Sequence, residues 1–523
     1  MISLLNRRAL TLLALGALLM LPTFLFGPGA SHSHLYNYIW TGHFGEQLAA
    51  GHLYERWLPR SFEGLGSPTF YFYPPLAYWI SGGFNAAGFS IFQAINLAGL
   101  ILLVASGLAM HAFLANRVAR PLLGAALYMA APYHLYDFYV RGALAEFAAF
   151  LWLPLIALAI DRLPARRGVA LLAVAYAGLI LTHLPVAMLT GVFLIAPLMA
   201  RRIWQDRAAL PAGLLAGLMA IGLAAFYLLP AITLQGHVST ELLWNERYRA
   251  TSWSIWQDGA EIYIAMAAGA ILLAWPARSI WSAITVVTAL ASIRLIPFIW
   301  DIDLLNKAQF PWRALCIVEF TAVTALMHYR PRAVLLTAAL LSLTLSYAIL
   351  IGISAKNLRT AVDYPRIALN QPDAPEYLPL GFDASRVDPY DRSTDLSAVR
   401  SLPRGDSLLV QRPMTVRLGH AAFPIWRVTR DDRTVASTGP LIQFQAMPGR
   451  YLVERVRLWQ ESAGAVLSVL GLLLLALLLM PRRINARLIS HLSKFPSYSP
   501  CLAIFDRTVF GWLGRSRHSG GDT

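Results

Sequence analysis

The feature that most limits how this chain can fold is a succession of apolar runs. Each is near the roughly 20 residues that an α-helix needs to cross the hydrocarbon core of a bilayer. They fall at about 9–27, 91–114, 121–135, 144–160, 167–182, 185–200, 211–231, 260–275, 280–299, 314–328, 333–354 and 461–480. Of the 523 residues, 57% are hydrophobic and only 14% charged, too little polar surface to solvate a water-soluble globule. The expectation is an all-α polytopic membrane protein of about twelve transmembrane helices.

A formal net charge of +15 invites a nucleic-acid reading, but the arginines sit in short clusters between the apolar runs. That is the pattern that orients helices in a membrane, so no nucleic-acid partner is expected. One stretch decides the topology: residues 73–88, apolar but containing Pro74 and Pro75. If it does not cross, Arg7/Arg8, Arg117/Arg120, Arg162/Arg166/Arg167, Arg201/Arg202/Arg207, Arg278, Arg330/Arg332 and Arg482/Arg483/Arg487 all share one side, the cytoplasm. Both termini are then cytoplasmic, and the first run reads as a retained helix rather than a cleaved signal, since no good small-residue cleavage site follows it.

On this topology the transmembrane domain spans 1–355 and exports a large first loop, 27–90. Shorter outer segments lie around 134–146, at His183, and at 233–258 and 301–313. A soluble domain at 356–459 opens with a Pro- and Asp-rich segment. It continues with alternating runs at 408–412, 414–418, 441–445 and 451–456, which predict a small β-sandwich on the periplasmic side. It is tethered by the last helix, 460–480, and a basic tail, 481–523, follows along the inner surface. The two cysteines, Cys316 and Cys501, provide neither a disulfide framework nor a thiolate zinc site.

The first loop is dense in aromatics and proline, including Trp57 and Tyr73, and reads either as an aromatic belt or as a platform for the headgroup of a lipid-linked substrate. Arg294 stands within an apolar run, where an ionisable residue is a functional candidate unless it snorkels to the interface. Lys307 and Arg313 flank Gln309-Phe310-Pro311-Trp312, and with Arg294 they form a candidate phosphate-binding trio. Candidate carboxylates are Glu46, Glu55 and Glu63 in the first loop, or a solvated loop face, and Asp137 with Glu146, or a local ion pair with Arg141. His32, His34, His43 and His52 share the first loop without a nearby Asp or Cys to complete a metal site. His183, before Pro185, reads as a hydrogen-bonding residue at a turn between helices. The chain has no Walker loop, dinucleotide fingerprint or serine-hydrolase elbow.

Several motifs resemble a known family. Residues 51–57, Gly64-Leu65-Gly66-Ser67-Pro68, Phe72-Tyr73-Pro74-Pro75-Leu76, Tyr139-Val140-Arg141-Gly142-Ala143-Leu144-Ala145-Glu146, Thr182-His183-Leu184-Pro185 and Gln309-Phe310-Pro311-Trp312-Arg313 are similar to bacterial membrane proteins labelled 6-pyruvoyl-tetrahydropterin-synthase-related. These group with the GT-C glycosyltransferases. The resemblance implies a protein of the bacterial inner membrane that moves a sugar from a polyprenyl-phosphate carrier to an envelope acceptor on the outer face, with a divalent cation such as Mg or Mn as a possible cofactor. It implies Asp137 as base or metal ligand, with Glu46 and Glu55 as further catalytic candidates. Arg141, Glu146, His183, Arg294, Lys307, Gln309, Arg313, Tyr73 and Trp57 would bind substrate. The family pattern expects an Asp four residues before a His, where this chain has Ser33 and Asn37. That departure favours a rival reading, a catalytically inert relative that binds lipid-linked glycans or scaffolds an envelope assembly.

Overall fold

The computed structural model describes residues 2–27, 31–244, 248–329, 332–357, 373–382, 403 and 405–480. The basic tail at 481–523 and much of the segment that opens the soluble domain lie outside the described residues. The described chain is mostly helical, with a small antiparallel sheet region near its C-terminal end.

Among the described residues, seven helices are long and apolar enough to cross a membrane: Arg7–Phe26, Ile91–Leu114, Leu144–Asp161, Leu184–Gln205, Ala260–Ala277, Ala333–Leu350 and Trp459–Leu479. An eighth is reached if Ala209–Leu223 and Ala225–Thr233, bent by 74° at Ala224, count as one span. These are compatible with a multi-pass membrane protein. The difference from the twelve apolar runs has a local cause: several runs are broken or shortened by backbone features that hydropathy does not register. The run at 121–135 is split at Ala131 before Pro132, and that at 280–299 ends its helix at Ser292. The helices at Arg166–Thr182 and Leu315–Tyr329 have 17 and 15 residues. The stretch at 73–88 contributes Leu76–Ala86, an 11-residue helix. At 1.5 Å per residue it is about 16 Å long, roughly half a hydrocarbon core.

Exposed leucines and valines along Trp459–Leu479, such as Val466, Val469, Leu470, Leu472 and Leu473, present the continuous apolar surface that a lipid-facing helix needs. Its other face closes on the 74° break. A Cβ on Gly464 would stand 2.6 Å from the Ala225 carbonyl oxygen, so only glycine permits this approach. Ser468 Oγ donates to the Gly222 carbonyl (3.0 Å) and accepts from the Phe226 amide (2.9 Å), restoring partners that the break removes.

The sheet region has six strands: β1 (Ser407–Val410), β2 (Met414–Ala421), β3 (Trp426–Arg430), β4 (Arg433–Val435), β5 (Leu441–Ala446) and β6 (Gly449–Arg455). Antiparallel pairing gives one sheet in the order β1-β6-β3-β4 and a second of β2 and β5. Val410, Val428, Tyr451 and Val453 from the first meet Val416, Leu418, Ile442 and Phe444 from the second in one buried core, as in a sandwich. The domain is seated on the first loop. Trp57 packs edge-on against Trp426 with ring centroids 5.5 Å apart, the Ala421 amide donates to the Leu65 carbonyl at 2.8 Å, and Arg455 pairs with Glu55.

Candidate functional site

The N-terminal ends of Leu144–Ala149 and Leu184–Thr190 meet the first loop and the turn at Pro311–Ala314 around one cavity of about 560 Å³. One wall is aromatic, from Tyr36, Trp40, Phe72, Tyr73, Tyr78 and Tyr377; another carries Arg141, Glu146, His183, Lys307, Gln309 and Arg313.

Glu146 is the hub of the charged wall. It is 1% exposed, and it pairs with Arg141 through Oε1 (2.7 Å) and with Arg313 through Oε2 (3.3 Å). Tyr133 donates its hydroxyl to the same Oε1 at 2.6 Å and accepts from Arg141 Nη1 at 2.7 Å. Asp137 sits behind this layer, fully buried, and its Oδ1 receives Arg141 Nη1 at 2.6 Å. Burial and the adjacent Glu146 carboxylate both oppose a second negative charge, so the Asp137 carboxyl is raised well above its ordinary range despite Arg141. At the cavity wall itself two guanidinium groups share the Glu146 carboxylate, with Asp137 behind them. Burial and the neighbouring Arg141 charge lower the Arg313 guanidinium somewhat from its very high ordinary value.

The backbone explains how the sequence builds this wall. Asp137–Arg141 is a single π-helical turn, a widening that commonly marks functional positions, and Gly142 ends it in the left-handed region at φ 58°. The first loop then lies along it: the amides of His32 and Ser33 donate to the carbonyls of Val140 (3.2 Å) and Arg141 (3.0 Å), and Asn37 Nδ2 donates to the Gly142 carbonyl at 2.5 Å. A Cβ at Gly142 would lie 1.9 Å from Ser31 Oγ. Gly142→Ala is therefore expected to lower stability by about 1–3 kcal/mol from backbone strain alone, with the collision added. A depressed thermal midpoint of the detergent-solubilised protein is the readout; an unchanged midpoint would show that the loop does not lie on this turn.

His183 caps the helix Leu184–Thr190, its Nδ1 accepting from the Val186 amide at 3.2 Å. Nε2 must then carry the proton in the neutral ring. Burial and the charge of Arg313 lower its pKa to about 3, so the ring is a neutral donor at physiological pH. Gln309 binds the Leu243 carbonyl through Nε2 (3.0 Å) and accepts from Arg313 Nη1 (3.1 Å), fixing the guanidinium. Lys307 pairs with Asp303 at 3.0 Å at the rim.

Other sequence candidates stand elsewhere. Glu46 is exposed and paired with Arg60, and Glu55 binds the Trp57 amide (2.8 Å) and Arg455. Trp57 is 3% exposed under the β-domain, outside the cavity lining. Arg294 follows the end of its helix instead of lying within a span. It adopts φ 57°, and its Nη1 donates to the Trp253 carbonyl at 2.5 Å, away from the cavity lining. The Glu63 side chain lies outside the described residues. Among the described residues no group of three or more His, Cys, Asp or Glu is placed to hold a metal ion. Asp137 Oδ1 is held by Arg141, and Glu146 is the adjacent carboxylate.

Sequence reasoning missed the segment 373–382. Asp373 is fully buried and accepts from Trp40 Nε1 (2.9 Å), Ser61 Oγ (2.7 Å), Thr69 Oγ1 (2.8 Å) and the Ala374 amide (2.8 Å). Through this clasp Ala374, Glu376 and Tyr377 complete the cavity lining. The available signal was a pair of acids around Pro375 followed by an aromatic, in a chain otherwise sparing of carboxylates.

No protein-family model matches this sequence, and no curated protein matches it.

Proposed function

We propose that the chain is a GT-C-like membrane glycosyltransferase that takes a sugar from a polyprenyl-phosphate donor and delivers it to an envelope acceptor. The observation that carries this reading is the single cavity in which two buried arginines and a rim lysine face an aromatic wall. Guanidinium groups suit phosphate by their planar, multiply donating fork, and aromatic faces suit the apolar faces of sugars and the first isoprene units. In this reading Arg141 and Arg313 hold the donor phosphate, Lys307 stands at the entrance, and His183 and Gln309 donate to its oxygens or to sugar hydroxyls. Asp137 positions Arg141.

The finer topology belongs to the same proposal. Arg117 pairs with Asp161 at 3.0 Å and Arg202 Nε donates to the Leu163 carbonyl at 3.0 Å, so the arginine-bearing ends of three helices gather together. The cavity lies by the opposite ends of those helices, near Leu144 and Leu184. By the excess of cationic residues in cytoplasmic loops, the cavity and β-domain face outward from a bacterial inner membrane, with the shorter helices completing about twelve crossings. A divalent cation, if used, would arrive with the donor phosphate.

In nanodiscs, Arg313→Gln is expected to weaken binding of undecaprenyl phosphate about 10- to 100-fold, the loss of one charge-assisted interaction. Undiminished affinity in a variant that melts like the parent would remove phosphate from this wall. Incubation with undecaprenyl-phosphate-linked sugars then tests transfer. The second reading, an inert glycan-lipid binder, is favoured by Ser33 and Asn37, which stand where the family pattern expects an acid and a His; Asn37 is instead committed to the Gly142 carbonyl and the Tyr78 hydroxyl (2.8 Å). It predicts phosphate binding without turnover.

A further inference from the structure

We propose that Glu376 is the proton-accepting carboxylate of the cavity, an inference that rests on the transferase reading above and supplies the acid that the first loop lacks. Among the residues lining the cavity, the carboxylates are Glu146 and Glu376. Glu146 is committed to two arginines and a tyrosine hydroxyl. Glu376 has no ion pair among the described residues, and it is a half-buried residue on the single turn Pro375–Tyr377.

That turn is held from both sides. Asp373 anchors it to the first loop through its bonds to Trp40, Ser61 and Thr69. Tyr377 stacks on Phe72, with centroids 5.8 Å apart and planes within 8°. Beyond it, the Ser239 amide donates to the Leu378 carbonyl at 2.9 Å. A carboxylate so mounted has the fixed position that proton transfer requires.

The charged surroundings suit the role. Asp373 and Tyr377 stand on the same segment, and Glu241 is on the turn packed against it. Lining the same cavity are Arg141, Arg313, Lys307, His183, Glu146 and Tyr73. Burial, opposed by a hydrogen bond from its own backbone amide and reinforced by the negative charge of Asp373, raises the Glu376 carboxyl to about 7. A base poised there is ionised in useful amount at neutral pH and still strong enough to take a hydroxyl proton as the bond forms. In the step, the acceptor oxygen forms a bond to the anomeric carbon while its proton passes to Glu376. The bond from that carbon to the phosphate oxygen breaks, its electron pair staying on the phosphate beside Arg141 and Arg313. Glu376 then returns the proton to solvent.

Two measurements test this. Dicyclohexylcarbodiimide, which adds to protonated carboxyls in apolar surroundings, is expected to label Glu376 at pH 6 and to lose reactivity with a midpoint near pH 7. Undecaprenyl phosphate should protect against it. Absence of label at pH 6 overturns the assignment whether or not turnover is found. In the transfer assay, Glu376→Gln is expected to lower kcat at least 100-fold and leave the affinity for undecaprenyl phosphate within about threefold. The rising limb of the parent's pH profile, near pH 7, should disappear with it. Turnover in the parent that survives Glu376→Gln defeats the inference alone; phosphate binding without turnover in the parent defeats the transferase reading and the base role together.

Misfolding is separable from these outcomes. A carboxyl raised in the folded state favours the native fold below its unfolded pKa, about 4.5, and that contribution is lost as pH rises through 7. At pH 8 the Gln variant should therefore melt no lower than the parent.

Discussion

Glu146→Ala is expected to destabilise the detergent-solubilised protein by about 3–5 kcal/mol, seen as a large fall in thermal midpoint or as loss of the monodisperse species. The magnitude follows from what is left behind. Arg141 and Arg313, 9% and 11% exposed at their side chains, would face each other with Asp137 as the remaining nearby acid. Like charges at this depth are poorly screened by salt, so raising ionic strength should not rescue the variant. The Tyr133 hydroxyl loses its acceptor at the same time. Glu146→Gln keeps an acceptor oxygen and should lose less, and removing Arg313 together with Glu146 should recover part of the loss, the pattern of a coupled pair. A deficit below about 1 kcal/mol for the alanine variant would mean that the two arginines are hydrated and that the wall is not the closed network described.

Asp373→Ala should cost at least about 3 kcal/mol, because one substitution orphans four buried donors and each is worth roughly 1–3 kcal/mol when left without a partner. The effect should be local before it is global. Released from Trp40, Ser61 and Thr69, residues 373–382 become the first site of proteolysis, and the cavity loses one wall. Asp373→Asn retains one oxygen acceptor but turns an amide toward the donors, so it should fall between. Parent-like proteolysis and melting for the alanine variant would show that the clasp carries no weight.

How far the sequence disclosed this arrangement differs by element. Tyr73, Arg141, Glu146, His183, Lys307, Gln309 and Arg313 were chosen from the sequence and stand on one cavity. They were legible because each sits in a short motif with Gly or Pro at a helix end, where chain direction and charge change together. Four of the six strands, β1, β2, β5 and β6, were similarly visible as period-2 runs, whereas the short β3 and β4 were not. Arg294 was misplaced for a plain reason: apolar residues continue through Leu295 and Ile296, yet the helix ends at Ser292 and the chain turns left-handed. Hydropathy records composition and cannot register that turn, nor the breaks at Ala131 and Ala224. Asp373, and Glu376 carried on the same segment, were missed because the partners of Asp373 lie hundreds of positions away. Trp40 and Asp373 are 333 residues apart, and no local pattern reports such a contact.

The same separation has a consequence for biosynthesis. Trp40, Ser61 and Thr69 leave the ribosome long before the residue that satisfies them, and every helix between Ile91–Leu114 and Arg332–Asn357 must be laid down first. A nascent chain therefore holds the pocket unsealed while those helices are inserted, and the clasp can shut only once Asp373 has emerged, ahead of the β-domain and the last helix. A closed pocket thus reports that the preceding helices are in place.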